Sequence, residues 1–480
     1  MSRNNEAAPP MNAGRIYSQA ERLRVLVGII MCILLAALDQ TVVLPAIPQM
    51  AATLHGAGHL SWVVSAYLLT TTATTPIYGK LSDQLGRRVV LVPALILFLL
   101  SCVLCALSTS ILMLIAARAL QGVGGGALQA VSQAAVGDVI PPRERGKYQA
   151  WFAGTWAFAS IAGPIAGGLI TQHFSWRWIF WGNLPLGFIA LVLCVRGLAG
   201  LAPAGLRTKI DYTGALLMIV SVAAVLLGLS MGGVDFPWAS ASEAGILAAG
   251  IAAFAVLFYQ QKRTAEPLFP GTLMGRAAYR QILEISFLNS AVLFGAIFLL
   301  PLMMQWLYRQ SPASSGLNIV PFLASSTIGS FIAGRATRLS GRFRPVMVAG
   351  VVMATGGFLL LGLAPEAGWL AYPLCVSAIF GLGIGLVLPS SLVAAQSQAG
   401  PRDMGVATGT LLLTRAMGGA FGATMVDALL AIAHQNLAYG FRLGFLACAV
   451  LEGVAVAVAL RMEDIQLRQT LEVAPAAEAH

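Results

Sequence analysis

The chain breaks into fourteen apolar runs of about twenty residues, and nearly all of its charge sits in the short stretches between them. An α-helix rises about 1.5 Å per residue, so a run of about twenty crosses the roughly 30 Å of hydrocarbon in a bilayer. The spacing predicts spans at 24–47, 60–79, 89–108, 110–138, 148–171, 176–196, 211–232, 242–261, 282–306, 313–335, 345–364, 369–392, 404–430 and 441–461. Charged residues make up 10% and hydrophobic residues 58% of the 480, which is too little charge to cover a soluble protein of this size. The expected fold class is an all-α membrane protein.

The net charge of +10 does not point to nucleic acid, because the basic residues sit in short loops between apolar blocks. That is the pattern that orients membrane helices. An even number of spans puts both ends on one side. Of the 29 Lys and Arg, 24 fall in the tails and loops of that side and three (Arg177, Arg309, Arg442) on the other, with Arg118 and Arg415 inside spans. Both termini are therefore expected in the cytoplasm, with the chain multi-pass in a bacterial inner (plasma) membrane. The six cysteines lie inside apolar blocks and read as small core residues, with no disulfide or metal role. The first 20 residues are polar and lack the apolar run and cleavage site of a removable signal peptide.

The chain repeats itself. Gly334-Arg335-Ala336-Thr337-Arg338-Leu339-Ser340-Gly341-Arg342 echoes Gly79–Arg87, with Arg338 where Asp83 stands, and Pro401–Gly405 echoes Pro142–Gly146. Gly122 and Gly381 each lie 20 residues before the matching proline. The expected organisation is a tail (1–23), a six-helix bundle (24–196), a two-helix insert (211–261), a second six-helix bundle (282–461) and a tail (462–480).

The stretch Gly79-Lys80-Leu81-Ser82-Asp83-Gln84-Leu85-Gly86-Arg87-Arg88 packs four charges between two apolar spans and reads as a tight, glycine-bounded hinge. Its pattern, G-x-L-x-D-x-x-G-R-R, resembles the loop between helices 2 and 3 of major facilitator superfamily transporters. Four further stretches resemble the same superfamily in the same order. Leu38-Asp39-Gln40-Thr41-Val42-Val43 is similar to a signature of its fourteen-helix drug:proton antiporter (EmrB/QacA-type) branch. Leu114 to Arg118-Ala119-Leu120-Gln121-Gly122-Val123-Gly124 resembles the buried-arginine motif of helix 4. Gly163-Pro164-Ile165-Ala166-Gly167-Gly168 resembles the antiporter motif of helix 5, and Trp176–Gly187 the helix 5–6 corner of the fourteen-helix branch. The resemblance implies the major facilitator fold, two six-helix bundles plus a two-helix insert, with a site between the bundles near the midplane.

An ionisable group in hydrocarbon is functional by default. Asp39 and Arg118 lie at similar depth, about 8–12 Å below the outer edge, on helices that line the central cavity in the resembled family. They are the expected proton-coupling pair, and Asp427 is a second candidate acid. Asp83, Arg87 and Arg88, with Gly79, Gly86 and Asp138, are expected to form a cytoplasmic gate latched in one state and released in the other. Gly163, Pro164, Gly167 and Gly168 are expected to break helix 5 and to allow close packing. Gln40, Gln121, Trp156 and Asn289 are candidates for lining the substrate cavity. Arg415 is read as an anchor of the inter-bundle face, Glu284 as a carboxylate at the inner interface, and Glu452 has no assigned role. His55 and His59 read as surface residues and not a metal site. Gly122–Ala127 fits a dinucleotide fingerprint by letters, but no strand precedes it.

The function expected from these residues is proton-coupled efflux of hydrophobic, drug-like compounds, with no enzymatic activity and no cofactor beyond the proton gradient. The expected partners are the lipid bilayer, a small hydrophobic substrate, protons and a periplasmic adaptor protein, and no nucleic acid. A dedicated exporter of one metabolite (pigment, siderophore or lipid precursor) is the alternative within the class. A membrane-embedded enzyme or receptor is the alternative outside it.

Overall fold

The computed structural model describes residues 19–54, 60–198, 211–231, 240–264, 267–269, 271–364, 369–400, 403–433 and 436–464. The terminal tails expected at 1–23 and 462–480 lie mostly outside this range, as do His55 and His59. The described chain is helical throughout its long elements. It begins with α1 (Gln19–Val42), a 3-10 turn at Leu44–Ala46, α2 (Ile47–Leu54) and α3 (Leu60–Leu85). α4 (Arg87–Ala106), α5 (Ile111–Val139), α6 (Pro142–His173) and α7 (Arg177–Gly197) complete the first half. α8 (Tyr212–Met231) and α9 (Ala241–Gln261) follow, then the short α10 (Gly271–Met274). The second half comprises α11 (Ala277–Trp306), the short α12 (Pro312–Leu317), α13 (Val320–Ser340), α14 (Arg344–Leu363), α15 (Ala371–Gln398), α16 (Met404–Ile432) and α17 (Leu437–Arg461).

Among the described residues, twelve helices are long and apolar enough to cross a membrane, two fewer than the fourteen spans expected from the sequence. The long helices outside the twelve are α3 and α16. Both carry polar and small residues where the others carry Leu, Val and Ile: Thr70–Thr72, Thr74 and Thr75 in α3, and Arg415, Asp427 and five glycines in α16.

α1 and α3–α7 share one apolar core, which includes Ile29, Cys32, Phe98, Leu114, Val131, Trp176 and Phe180. α11 and α13–α17 share two. One, around Tyr279, Ile282, Phe343, Met347 and Ala459, lies towards the ends that carry most of the arginines, called the basic end here. The other, around Leu299, Phe322, Phe358, Phe380 and Phe445, lies away from it. The pair α8–α9 is joined at the basic end by Asp211, which accepts from Gly214 N, Gln260 Nε2 and Gln261 Nε2 at 2.7–3.2 Å. Met218, Val222 and Leu226 of α8 then pack with Ala73 of α3 and Leu413 of α16, so the insert rests on both halves.

The threonine ridge of α3 explains the glycine run of α5. Thr70 and Thr71 donate to the carbonyls of Ala119 and Gly122 at 2.8 and 3.0 Å. A Cβ on Gly125 would lie 2.7 Å from the Tyr67 hydroxyl, and one on Gly126 2.9 Å from the Thr71 carbonyl. The run is a docking groove for a helix, as small residues are in membrane bundles. The hydroxyls of Thr74 and Thr75 bond back to their own helix at 2.7 Å.

Two expectations are corrected. The hinge after residue 79 is not a loop: α3 runs on to Leu85, and Gly86 alone separates it from α4. Gly86 turns the chain with φ 96°, a conformation that a side chain strongly disfavours. Nor do Gly163 and Pro164 break their helix, since α6 continues unbroken for 32 residues through Pro164. The proline removes one donor to the preceding turn, but the helical turns on either side close normally.

Candidate functional site

A fully buried charged pair sits where α1, α5 and α7 meet. Asp39 is 0% exposed and Arg118 1%. Arg118 Nη1 donates to Asp39 Oδ2 at 2.7 Å. The other carboxylate oxygen accepts from Gln121 Nε2 at 2.9 Å and from Asn183 Nδ2 at 2.7 Å. Arg118 also gives Nη1 to Gln121 Oε1 at 2.7 Å and Nε to the Val63 carbonyl at 3.2 Å, and its guanidinium lies 4.3 Å from the Tyr67 ring centroid. The Tyr67 hydroxyl is buried without a partner. An isolated charge here would be costly, and the network supplies each carboxylate oxygen with donors and the cation with acceptors and a ring face.

Sequence reasoning found Asp39 and Arg118 but missed Asn183, although it lies inside the Trp176–Gly187 stretch. The signal available was an amide in the middle of an apolar span. Gln121, expected to line a cavity, is instead buried inside this network. Among the described residues the second repeat has nothing equivalent. Gly295 stands six residues before Pro301 as Asp39 stands six before Pro45, and Cys448 follows Arg442 by six as Asn183 follows Arg177. A Cβ on Gly295 would lie 3.1 Å from Cys448 Sγ, so the positions correspond in space and the polar centre is built once.

At the basic end the two halves are pressed together. Asp83, near the end of α3, accepts from Gly405 N at 2.8 Å and Val406 N at 2.9 Å. These are first-turn amides of α16, which have no acceptor within their own helix and carry the positive end of its dipole. Arg87 Nη1 lies 2.6 Å from Asp83 Oδ1, while its Nε and Nη2 reach both oxygens of Asp138 at 2.7 and 3.2 Å. Asp83, Arg87, Asp138 and α16 thus form one chain of charge-assisted contacts across the seam. Arg88 points away and is exposed. Arg145, read from the sequence only as a loop charge, is buried and donates to the Ile140 and Gly137 carbonyls at 2.9 and 2.6 Å, capping α5.

The repeated glycines meet in the same seam. A Cβ on Gly79 would fall inside contact distance of the Gly405 carbonyl, and one on Gly146 would lie 2.8 Å from Gly334 Cα. Gly79 matches Gly334 in the repeat and Gly146 matches Gly405, so the two contacts are related by the internal symmetry of the chain. Gln396 Nε2 of α15 adds a hydrogen bond to the Gln133 carbonyl of α5 at 3.1 Å.

The remaining expected residues scatter. Gly163 and Gly167 pack α6 against Thr41 and Val42 of α1, whereas Gly168 faces open space. Pro164 is exposed, and Gln40 and Trp156 are half-buried. Asn289 is buried within the second half, and neither atom of its amide has a partner. Asp427 is exposed and pairs with no cation among the described residues. Glu284 is exposed near the start of α11. Glu452 is 0% exposed, and both its oxygens lack partners. Among the described residues no group of three His, Cys, Asp or Glu could hold a metal.

The sequence profile of the Major Facilitator Superfamily matches residues 29–423. The multidrug transporter protein MdtP of Bacillus subtilis (strain 168) is 35% identical over 427 residues, which cover 89% of this chain and 79% of that protein. Multidrug resistance protein 3 of the same organism is 30% identical over 410 residues, covering 85% of this chain and 79% of that one. The solved structure of the proton:xylose symporter XylE, bound to 6-bromo-6-deoxy-D-glucose, has a TM-score of 0.70 at 14% identity over 95% of this chain and 99% of that one, a likeness of fold alone. The match runs from within α1 to within α16, through both halves and across the seam between them: this multi-pass membrane protein belongs to the major facilitator superfamily.

Proposed function

We propose that this chain is a proton-coupled efflux transporter of the inner (plasma) membrane that exports hydrophobic, drug-like compounds by alternating access. The observation that carries the proposal is Asp39, an acid buried at membrane depth and held by Arg118, Gln121 and Asn183 from two other helices. When Asp39 takes up a proton it gives up its charge pairing with Arg118, and α1, α5 and α7 lose the contact that fixes their relative position. When the proton leaves, the contact reforms. Coupling follows if the two arrangements favour opposite closures of the bundles. Drug export is supported by the names of two relatives, a multidrug transporter and a multidrug resistance protein.

The bundles are 24–196 and 282–461, with 211–261 as the insert. The basic end is the cytoplasmic end on the 24 to three distribution of Lys and Arg, which puts both termini inside. In this conformation the Asp83 latch holds that end shut. α3 and α16 complete fourteen spans, as in the EmrB/QacA-type branch. Their 26 and 29 residues amount to about 39 and 43 Å of helix, and the hydroxyls of the α3 threonines are bonded to backbone carbonyls. The proton gradient is the energy source, and no cofactor takes part. A periplasmic adaptor remains part of the proposal.

The test is a pH jump across proteoliposomes, with a lipophilic fluorescent dye as cargo and dye binding measured in parallel. Asp39→Asn mimics the protonated acid, and we expect uphill transport to stop while binding survives. Arg118→Ala leaves a buried carboxylate unpaired, at about 3–5 kcal/mol, and should also lower the yield of folded protein. Proton-driven accumulation at the wild-type rate in Asp39→Asn would sink the proposal.

A further inference from the structure

We propose that Arg415 is the recognition point for an acidic group on the transported compound, so that the substrates include lipophilic anions. The inference rests on the efflux reading and names a ligand class for it. Four arginines lie deep in the bundles or their seam, and one of them, Arg145, is taken up in capping the end of α5. Arg118 has Asp39, and Arg87 has both Asp83 and Asp138. Arg415, on α16, pairs with no carboxylate among the described residues. Its Nη2 donates to the Leu388 carbonyl and to Ser391 Oγ on α15, the latter at 2.8 Å. Its Nε is buried with no partner. The Nη2 protons are thus held by neutral acceptors, and no carboxylate among the described residues balances the charge. Asp427 does not supply the balance, because twelve residues of helix, about 18 Å, separate the two.

The position suits a ligand. Arg415 lies ten residues beyond Gly405 and six beyond Gly409, about 15 and 9 Å along α16. Gly405 touches Gly79, and a Cβ on Gly409 would lie 2.8 Å from Pro76 Cα. On the α15 side, Ser391 lies five residues before Gln396, whose amide crosses to α5. Arg415 therefore stands just beyond the contacts that close the basic end, and it is only half-buried. In the first repeat the matching position is Trp156, since both follow their matched prolines, Pro401 and Pro142, by fourteen residues. A cation and an aromatic ring thus occupy equivalent depths on the two symmetry-related helices. That combination fits an amphiphile with an aromatic body and a carboxylate or sulfonate head, the head taking a charge-assisted hydrogen bond from the remaining guanidinium nitrogen, Nη1.

The test uses three probes with one hydrophobe and different heads: pyrenebutanoate, pyrenebutanol and pyrenebutyltrimethylammonium. Binding to the purified full chain in detergent is followed by fluorescence anisotropy, for wild type, Arg415→Gln and Arg415→Lys. Wild type should bind the anion more tightly than the alcohol or the cation. Arg415→Gln should lose about tenfold to a hundredfold for the anion, the range of a charge-assisted hydrogen bond. Its affinity for the alcohol should stay within about twofold, which also shows that the variant is folded, and Arg415→Lys should lie between. Equal losses for all three probes, or an unchanged affinity for the anion, would overturn the assignment and leave the efflux reading standing. A wild type that binds none of the three would overturn both.

Discussion

Asp83→Asn isolates the latch, because it changes one charge at a helix end without opening a cavity. The carboxylate now accepts from Gly405 N, Val406 N and Arg87 Nη1. An asparagine has one acceptor oxygen, so it keeps one of the two amides of α16 and turns its own NH2 towards the other donors. Two contacts to a charged acceptor are lost, at about 1.5–3 kcal/mol each. Breaking a buried ion pair gives a similar figure, about 3–5 kcal/mol. Arg87 keeps its bidentate contact with Asp138, which holds the loss at the lower end. The contacts to the α16 amides exist only while the bundles are closed at the basic end, whereas the Arg87 contact lies within the first half, so one contact's worth, about 2 kcal/mol, falls on the closed state. That moves the equilibrium roughly thirtyfold, enough to make a state closed by a smaller margin the minor one. Spin labels at Val89 and Leu339, both exposed at the basic end on opposite halves, would read the change as a longer distance population in pulsed electron resonance. Transport should be lost at a wild-type yield of folded protein. An unchanged distance distribution together with wild-type transport at equal expression would refute the reasoning.

Gly146→Val puts a side chain where backbone meets backbone, 2.8 Å from Gly334 Cα. It should hold the same end open, at an overpacking cost of about 1–3 kcal/mol to the closed state. Gly154→Val on the same helix meets nothing within 4 Å and should leave the label distances unchanged; a similar effect from both would discard the close-approach argument. Glu452→Leu removes a buried carboxyl with no hydrogen-bond partner and should raise the thermal unfolding midpoint in detergent, by an amount equivalent to about 1–3 kcal/mol. A fall in the midpoint would show that the carboxyl has a stabilising role that its surroundings do not reveal.

Much of the site was legible in the residues. A charge in an apolar run is conspicuous, which is why Asp39, Arg118, Arg415 and Glu452 could be picked out one by one. The Asp83–Arg87 cluster was legible as well, because Gly, Asp and Arg fall at fixed spacing in a short polar stretch. Partners were less so. Asn183 is uncharged and hides among tryptophans, and nothing in a linear pattern says that it reaches a carboxylate 144 residues away. Gln121 reads like any polar residue on a helix until the helix is rotated into place. The reading of Gly79–Arg88 as a loop failed for a local reason: charge at the end of an apolar run marks the membrane boundary, whereas a helix stops only where backbone geometry changes, here at Gly86.

By itself the sequence determined that the chain is a set of membrane helices, which ends carry the positive charge, and that two halves repeat. These follow from hydropathy, charge and spacing, which are properties of residues in order. Only the tertiary structure decided what Asp83 does, since its acceptors are satisfied by two backbone amides on a helix 322 residues further along the chain. It likewise decided that the repeated glycines meet as Gly79 with Gly405 and Gly146 with Gly334, and that Asp39 and Arg118 have a counterion in each other while Arg415 has none among the described residues. Such facts depend on which groups become neighbours when helices distant in sequence pack. Local partners such as Gln121 for Arg118 and Asp83 for Arg87 contribute, but whether a buried charge finds its counterion across helices is decided by that packing.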